Sequence, residues 1–363
     1  MKTFNVIGIM SGSSMDGVDL ALCEITSNQG QYTFKIKTAE TFEYNQTWRV
    51  RLSQLRKADA LSYAKTDVFY GHYLGQLVNQ FIQSYGIQAD LVASHGHTVF
   101  HYPEAFITRQ VGDGASLSAL CQLPVVSDFR SMDVAKRGEG APLVAIGDEL
   151  LFNTYDYCLN LGGFCNISGI YNGKRIAFDI GPANILLNRV ARDLDQEYDK
   201  DGAIAAKGSI HYPLLEQLNK IPFYHQDFPK SLNRDWINHE LWQLVKDGER
   251  LSPEDKMKTF VDHIGFQIGK SIDQITGNNG SGKRVLVTGG GAFNHTLMDH
   301  IRTHSDASFD VPDTQLVKFK EALIFALMGV LRVENQINIK KSYTGASSDS
   351  ISGALHGDFS KLI

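Results

Sequence analysis

Cysteine is scarce in this sequence: four residues in 363 (Cys23, Cys121, Cys158 and Cys165), widely scattered and without a CxxC pair. That argues against a disulfide framework or a cysteine-ligated zinc site, and reads as reduced, buried thiols of a cytoplasmic protein. Long apolar runs are missing too. Nothing approaches the ~18 consecutive apolar residues of a membrane span, and the N-terminal run ends after seven residues without a small-residue cleavage pattern, so we read it as a first strand rather than a leader. A basic surplus is also lacking. Lys and Arg number 35 against 40 Asp and Glu, net charge −5, with no basic stripe, which argues against nucleic acid as a partner. Any anion must therefore be held by backbone amides or by a few placed cations.

What remains is ordinary globular composition, 43% hydrophobic and 21% charged, at a length that suggests two domains. The pattern is α/β. FNVIGIM and VDLALCEI are apolar strands joined by the polar turn SGSSMDG, and YTFKIKTAETFEY alternates as a third strand. Residues 47–85 turn helical, and the strand ADLVASHG follows. The order then repeats: TYDYCLNLGG and FCNISGIYN around a glycine turn, GKRIAFDIG, and a helix through ANILLNRVARDL. Strand-turn-strand-strand-helix thus occurs in both halves, a duplication of architecture with no low-complexity linker between.

Six motifs carry possible chemistry. Met10 to Asp19 packs glycines, serines and carboxylates into a turn whose amides can form an anion nest, and Asp16 or Asp19 suits Mg²⁺ directly or through water. Asn160 to Asn166 is the equivalent turn in the second half, and Gly289-Gly290-Gly291-Ala292-Phe293-Asn294 lies between a strand and a helix, where phosphates bind. GNNGSGK at 277–283 imitates a Walker A loop, but Arg284 stands at the Ser/Thr position and a strand follows, so we reject it. Asp179, before a Gly-Pro turn and a helix, is placed as a general base. Ser94-His95-Gly96-His97-Thr98 with His101 suits contacts to a hydroxylated substrate better than zinc. Arg130, in the stretch 128–142, is a candidate clamp for a carboxylate or phosphate.

Taken in order, GIMSGSSMDGVD, SHGHT, DFRxxD with GxGAPL, NLGGFxN, FDxGPxN, DKDGxxAxxG, TGGGAFN and a late TGA resemble the anhydro-N-acetylmuramic acid kinases, within the actin, hexokinase and Hsp70-type ATPases, over nearly the whole chain. The resemblance implies two ribonuclease-H-like lobes with mixed sheets, an actin-like ATPase fold around a central cleft. Residues 1–132 with about 343–363 would form the N-terminal lobe and 133–342 the C-terminal one. It implies an ATP- and Mg²⁺-dependent kinase that opens 1,6-anhydro-N-acetylmuramic acid with water and phosphorylates O6, in murein recycling. By motif, Gly12, Ser13, Ser14, Met15, Asp16, Gly17, Val18 and Asp19 would bind ATP, with Gly162, Gly163, Asn166, Gly289, Gly290, Gly291 and Asn294. Asp179 would activate the water, and His97, Thr98, Arg130, Asn184 and Glu321 would contact the sugar. A homodimer is among the states the sequence allows.

Several departures from the family pattern fall on the sugar side. FDTGPGN is FDIGPAN here, GGQGAPL is RGEGAPL, PKSTGRE is PKSLNRD, Thr is replaced by Ser13 and a downstream Asp by Asn188. Two other readings therefore stand beside the first: a kinase for another anhydrosugar such as levoglucosan, and a non-catalytic nucleotide-dependent sugar sensor.

Overall fold

The computed structural model describes residues 1–12, 15–228, 230–232, 236, 241 and 251–362. The chain divides into two compact units, Met1–Leu151 with Phe319–Ile363, and Phe152–Lys318.

In the first unit β1 (Lys2–Ser11) is apolar because it lies mid-sheet, with Val6, Ile7 and Ile9 wholly buried. It pairs antiparallel with β2 (Gly17–Asn28), which pairs antiparallel with β3 (Gln31–Glu43). On its other side β1 runs parallel to β4 (Leu91–Tyr102), and β4 parallel to β6 (Val125–Ser127). β5 (Ile107–Val111) adds antiparallel to β4, and a final strand, Ala354–His356, closes the edge beside β6. The helical stretch expected from 47 to 85 is two helices, α1 (Gln46–Gln54) and α2 (Ala60–Tyr85). Asp59 caps α2 by accepting from the Ser62 amide at 2.9 Å, and Gly86 ends it in a left-handed turn. Tyr70, Leu74, Val78 and Phe81 form the stripe that α2 buries. Three short helices follow: α3 (Gly114–Cys121), α4 (Ser131–Ala135) and α5 (Ala145–Leu151).

The second unit repeats the plan. β7 (Tyr157–Leu161), β8 (Phe164–Tyr171) and β9 (Lys174–Pro182) form an antiparallel meander, and β10 (Arg284–Thr288) and β11 (Ser308–Asp310) add parallel beside β7. The sheet order β11-β10-β7-β8-β9 matches β6-β4-β1-β2-β3 of the first unit. Each unit is therefore a mixed, ribonuclease-H-like sheet with helices packed on it. Helices α6 (Asn184–Arg192), α7 (Tyr212–Asn219), α8 (Pro253–Thr276) and α9 (His295–Thr303) belong to this unit, and α10 (Thr314–Val333) carries the chain back to the first.

The unit boundaries differ from the lobes expected above. Residues 133–151 and 319–342 belong to the first unit rather than the second, and the reason is packing. A Cβ on Gly147 would lie 2.3 Å from Ile324 Cγ1, and one on Gly8 of β1 would lie 1.9 Å from the Ala322 carbonyl. Asp148 and Lys320 form an ion pair at 2.6 Å with side chains 3% and 6% exposed. Two glycines and one buried charge pair thus seat α5 and the second half of α10 on the first sheet. The 24-residue helix α8 is the largest element absent from the sequence reading. Its signals are in the chain: Ser252 accepts from the Asp255 amide at 3.1 Å, Pro253 opens the first turn, and Gly277 caps the end.

Candidate active site

The first turn sits where β1 ends. Met15 adopts φ 62° and its amide donates to the Gly12 carbonyl at 3.4 Å, and the Tyr44 amide donates to the Asp16 carbonyl at 3.1 Å. Gly17 is obligatory: a Cβ there would lie 2.4 Å from the Phe42 carbonyl on β3. Ser11 is buried, hydrogen-bonding Tyr44 at 2.5 Å and His97 Nδ1 at 3.0 Å. Because β1 and β4 run parallel, their C-terminal ends place this turn beside His97 and Thr98, the end of a sheet at which α/β proteins bind ligands. Asp19, half-buried on β2, accepts from Thr41 Oγ1 at 2.6 Å. Asp16 is exposed. Ser13 and Ser14 lie outside the described residues.

Arg130 follows β6. Its Nε donates to His95 Nε2 at 2.9 Å, and its Nη1 donates to the Gly140 carbonyl. A guanidinium only donates, so His95 Nε2 is the acceptor and Nδ1 carries the proton that meets the Gly96 carbonyl at 2.8 Å. Burial first, then the Arg130 charge, holds His95 well below the usual imidazole range. It is a neutral support for Arg130. Burial lowers Arg130 to about 10, so it stays charged at neutral pH, and its Nη2 makes no hydrogen bond among the described residues. Asp133, fully buried, accepts from Thr344 Oγ1 at 2.7 Å and the Gly140 amide at 2.8 Å, folding the 138–140 turn over Arg130. Glu321 is raised by burial and then by Asp19, with Arg130 and Lys320 opposing. Expected nucleotide and sugar residues thus share one electrostatic neighbourhood within the first unit.

In the second unit the two glycine turns pack on each other. Gly289, at φ 85°, comes so close to the β7 end that a Cβ would lie 2.6 Å from Asn160 Oδ1 and 2.8 Å from the Leu161 carbonyl. Gly163 and Gly290 are exposed, with nothing within 4 Å of a Cβ at Gly163 and only Asn184 Nδ2, at 3.9 Å, at Gly290. The helix ends differ from expectation. The glycine run enters a 3₁₀ turn, Gly290–Phe293, and Asn294 caps α9 by accepting from the Leu297 amide at 2.9 Å. The Gly162 and Gly163 carbonyls accept from Asn184 and Ile185 at 3.1 and 3.2 Å, and Asn184 Nδ2 donates to Leu161 at 2.9 Å. Asn294 and Asn184 therefore hold the turns in place through their own side chains. What the turns offer a ligand is exposed glycine backbone.

Asp179 is not at a strand end, as expected, but inside β9, which runs on to Pro182. It pairs with Asn166 of β8 beside a β-bulge in its own strand, where Ile180 is the extra residue between the partners of Cys165 and Asn166. Its Oδ2 accepts from the Leu232 amide at 2.9 Å, and its own amide donates to the Lys230 carbonyl at 2.9 Å. Burial raises the carboxyl to about 6, the Leu232 bond opposing. A base near that value is charged at neutral pH and still takes up a proton readily. Of the stretch PKSLNRD, residues 229 and 233–235 lie outside the described residues. The sequence reading missed Leu232 and His95 as supports, since one acts through its backbone and the other through a tautomer. The GNNGSGK segment is a turn into β10, as its rejection requires.

The family model for anhydro-N-acetylmuramic acid kinase matches residues 4–358. A Pseudomonas syringae pv. tomato anhydro-N-acetylmuramic acid kinase is 32% identical over 97% of this chain and 99% of its own. Kinases of the same name from Vibrio vulnificus and Haemophilus influenzae are each 30% identical, covering 96% and 98% of this chain and 97% and 98% of theirs. Among solved structures, the ADPNP-bound activator of 2-hydroxyisocaproyl-CoA dehydratase from Clostridium difficile aligns at TM-score 0.45 and 12% identity, over 90% of this chain and 94% of its own. Glucose-bound Schistosoma mansoni hexokinase aligns at TM-score 0.36 and 11% identity, over 90% and 85%. No described helix is long and apolar enough to cross a membrane.

Proposed function

This chain belongs to the anhydro-N-acetylmuramic acid kinase family, and on that premise we propose how its residues divide the work of an ATP-dependent anhydrosugar kinase. The reaction opens 1,6-anhydro-N-acetylmuramic acid and phosphorylates O6, giving N-acetylmuramic acid 6-phosphate. A levoglucosan-type kinase and a non-catalytic sensor are not favoured by that membership.

Asp179 takes a proton from water as the oxygen attacks C1. The C1–O6 bond breaks with its electron pair on O6, and O6 attacks the γ-phosphorus while ADP departs. The half-buried carboxylate at about 6 carries this assignment, because water activation needs a base that is charged yet not strongly acidic. Arg130 receives the lactyl carboxylate on Nη2, held in aim by neutral His95. His97, Thr98 and Glu321 line the sugar, while Asn184 holds the Gly162–Gly163 turn in place. Gly12 to Asp19 in the first unit, and Gly162, Gly163, Asn166 and Gly289 to Gly291 in the second, are the phosphate-binding segments, the open faces of Gly163 and Gly290 supplying backbone amides and Asn294 capping the helix that follows its turn. The hard oxygen of half-buried Asp19, directly or through water, fits Mg²⁺, which when bound neutralises phosphate charge. We place the enzyme in the cytoplasm, acting on a small sugar without nucleic acid or membrane.

The test is one turnover in ¹⁸O-water with ATP and the anhydrosugar. Label at C1 with phosphate on O6 supports the assignment. Phosphate elsewhere, unlabelled sugar, or binding without turnover overturns it.

A further inference from the structure

Away from these residues, on the second unit, three side chains meet between two helices. Asp262 stands on α8, His300 stands in the last turn of α9, and His304, four residues on, is the C-cap residue that follows it. His300 Nδ1 lies 2.9 Å and His304 Nε2 3.3 Å from the same oxygen, Asp262 Oδ1. All three ligand atoms fall within 4.8 Å of one another. The side chains are 12% exposed at Asp262, 16% at His300 and 28% at His304, sheltered yet open to an ion from solvent.

We propose that Asp262, His300 and His304 form a binding site for a divalent transition metal of the zinc class. Four ligands at about 2.0–2.1 Å in tetrahedral array lie about 3.3 Å from one another. The Oδ1–Nε2 distance already has that value, and Oδ1–Nδ1 needs to open by only a few tenths of an ångström. Two imidazoles one helical turn apart approach an ion from one side, and the carboxylate of the adjacent helix completes a three-ligand set with its fourth position toward water. Two nitrogens and one oxygen select zinc, cobalt or nickel over Mg²⁺ and Ca²⁺, which want oxygen alone. Because the site joins the end of α9 to α8, and α9 begins at Asn294 beside the glycine run, an ion there fixes the helix on which that turn rests.

Chelator-treated protein titrated with Co²⁺ provides the direct readout, since four-coordinate cobalt absorbs visibly and free aqueous cobalt scarcely does. One equivalent should bind with four-coordinate bands, zinc should displace it, and millimolar Mg²⁺ should not. His304→Gln, at the exposed helix end, and Asp262→Asn should each weaken binding at least tenfold while the circular dichroism of the folded protein is kept. If Asp262→Asn does not fold, His304→Gln alone decides. Absence of a saturable cobalt spectrum, or affinity unchanged in His304→Gln, overturns the site. These readouts are independent of sugar turnover.

Discussion

Asp179→Asn separates a catalytic carboxylate from a structural one, because the two roles move stability in opposite directions. In the folded protein this carboxyl takes its proton at about 6 rather than at 3.8. At about 1.36 kcal/mol per pH unit, that interval means that keeping the charge buried costs about 3 kcal/mol above pH 6. With the folded value the higher one, stability from this group is intact below 3.8 and lost as pH rises through about 6. Asparagine removes the charge but accepts from the Leu232 amide more weakly, a loss of about 1 kcal/mol, and its NH₂ needs a partner of its own. The variant should therefore equal or exceed the wild type by up to about 2 kcal/mol at pH 8, with the gain vanishing near pH 4. Its turnover should fall about 10²- to 10⁴-fold, as for loss of a general base, and wild-type kcat/KM should rise with pH through about 6. Urea unfolding at the two pH values and an ADP-release assay read both arms. Destabilisation by more than about 1 kcal/mol at pH 8 would identify a structural acceptor, and turnover above a tenth of wild type would remove Asp179 from the chemistry.

Arg130→Lys keeps the charge and loses the fork that bonds His95. We expect KM for the anhydrosugar to rise about 10- to 100-fold, the worth of one charged hydrogen bond, with KM for ATP nearly unchanged; steady-state kinetics with each substrate varied checks this. Gly289→Ala forces a side chain into the left-handed region and against Asn160 and Leu161. It should cost about 1–3 kcal/mol and raise KM for ATP more than for sugar, read by thermal melting and the same kinetics.

Local features were legible in the chain, and relations between distant segments were not. The turns at Gly12–Gly17 and Gly162–Gly163 are flanked by apolar strands whose alternation any hairpin demands, so both meanders could be placed from the letters alone. Asp179 was found by its neighbours, Gly181 and Pro182, yet its strand runs past it, because a bulge opposite Cys165 and Asn166 lets pairing continue to Pro182. Nothing in its own segment names the Leu232 amide, 53 residues on. Residues 133–151 and 319–342 were assigned to the wrong half for the same reason: apolar helices look alike until the sheet that covers them is known. Helix α8 has caps legible in the sequence, Ser252 with Pro253 at its start and Gly277 at its end.

The pairing of Asp148 with Lys320 has a consequence for how this sequence can change. Either partner exchanged alone for leucine takes the 2.6 Å ion pair from a buried charge, at about 3–5 kcal/mol, whereas exchanging both for apolar residues of like volume is close to neutral. A survey altering one letter at a time would score both positions as immutable, although a joint exchange is open. Descent from this chain to one without the pair must cross a ridge in a single double step.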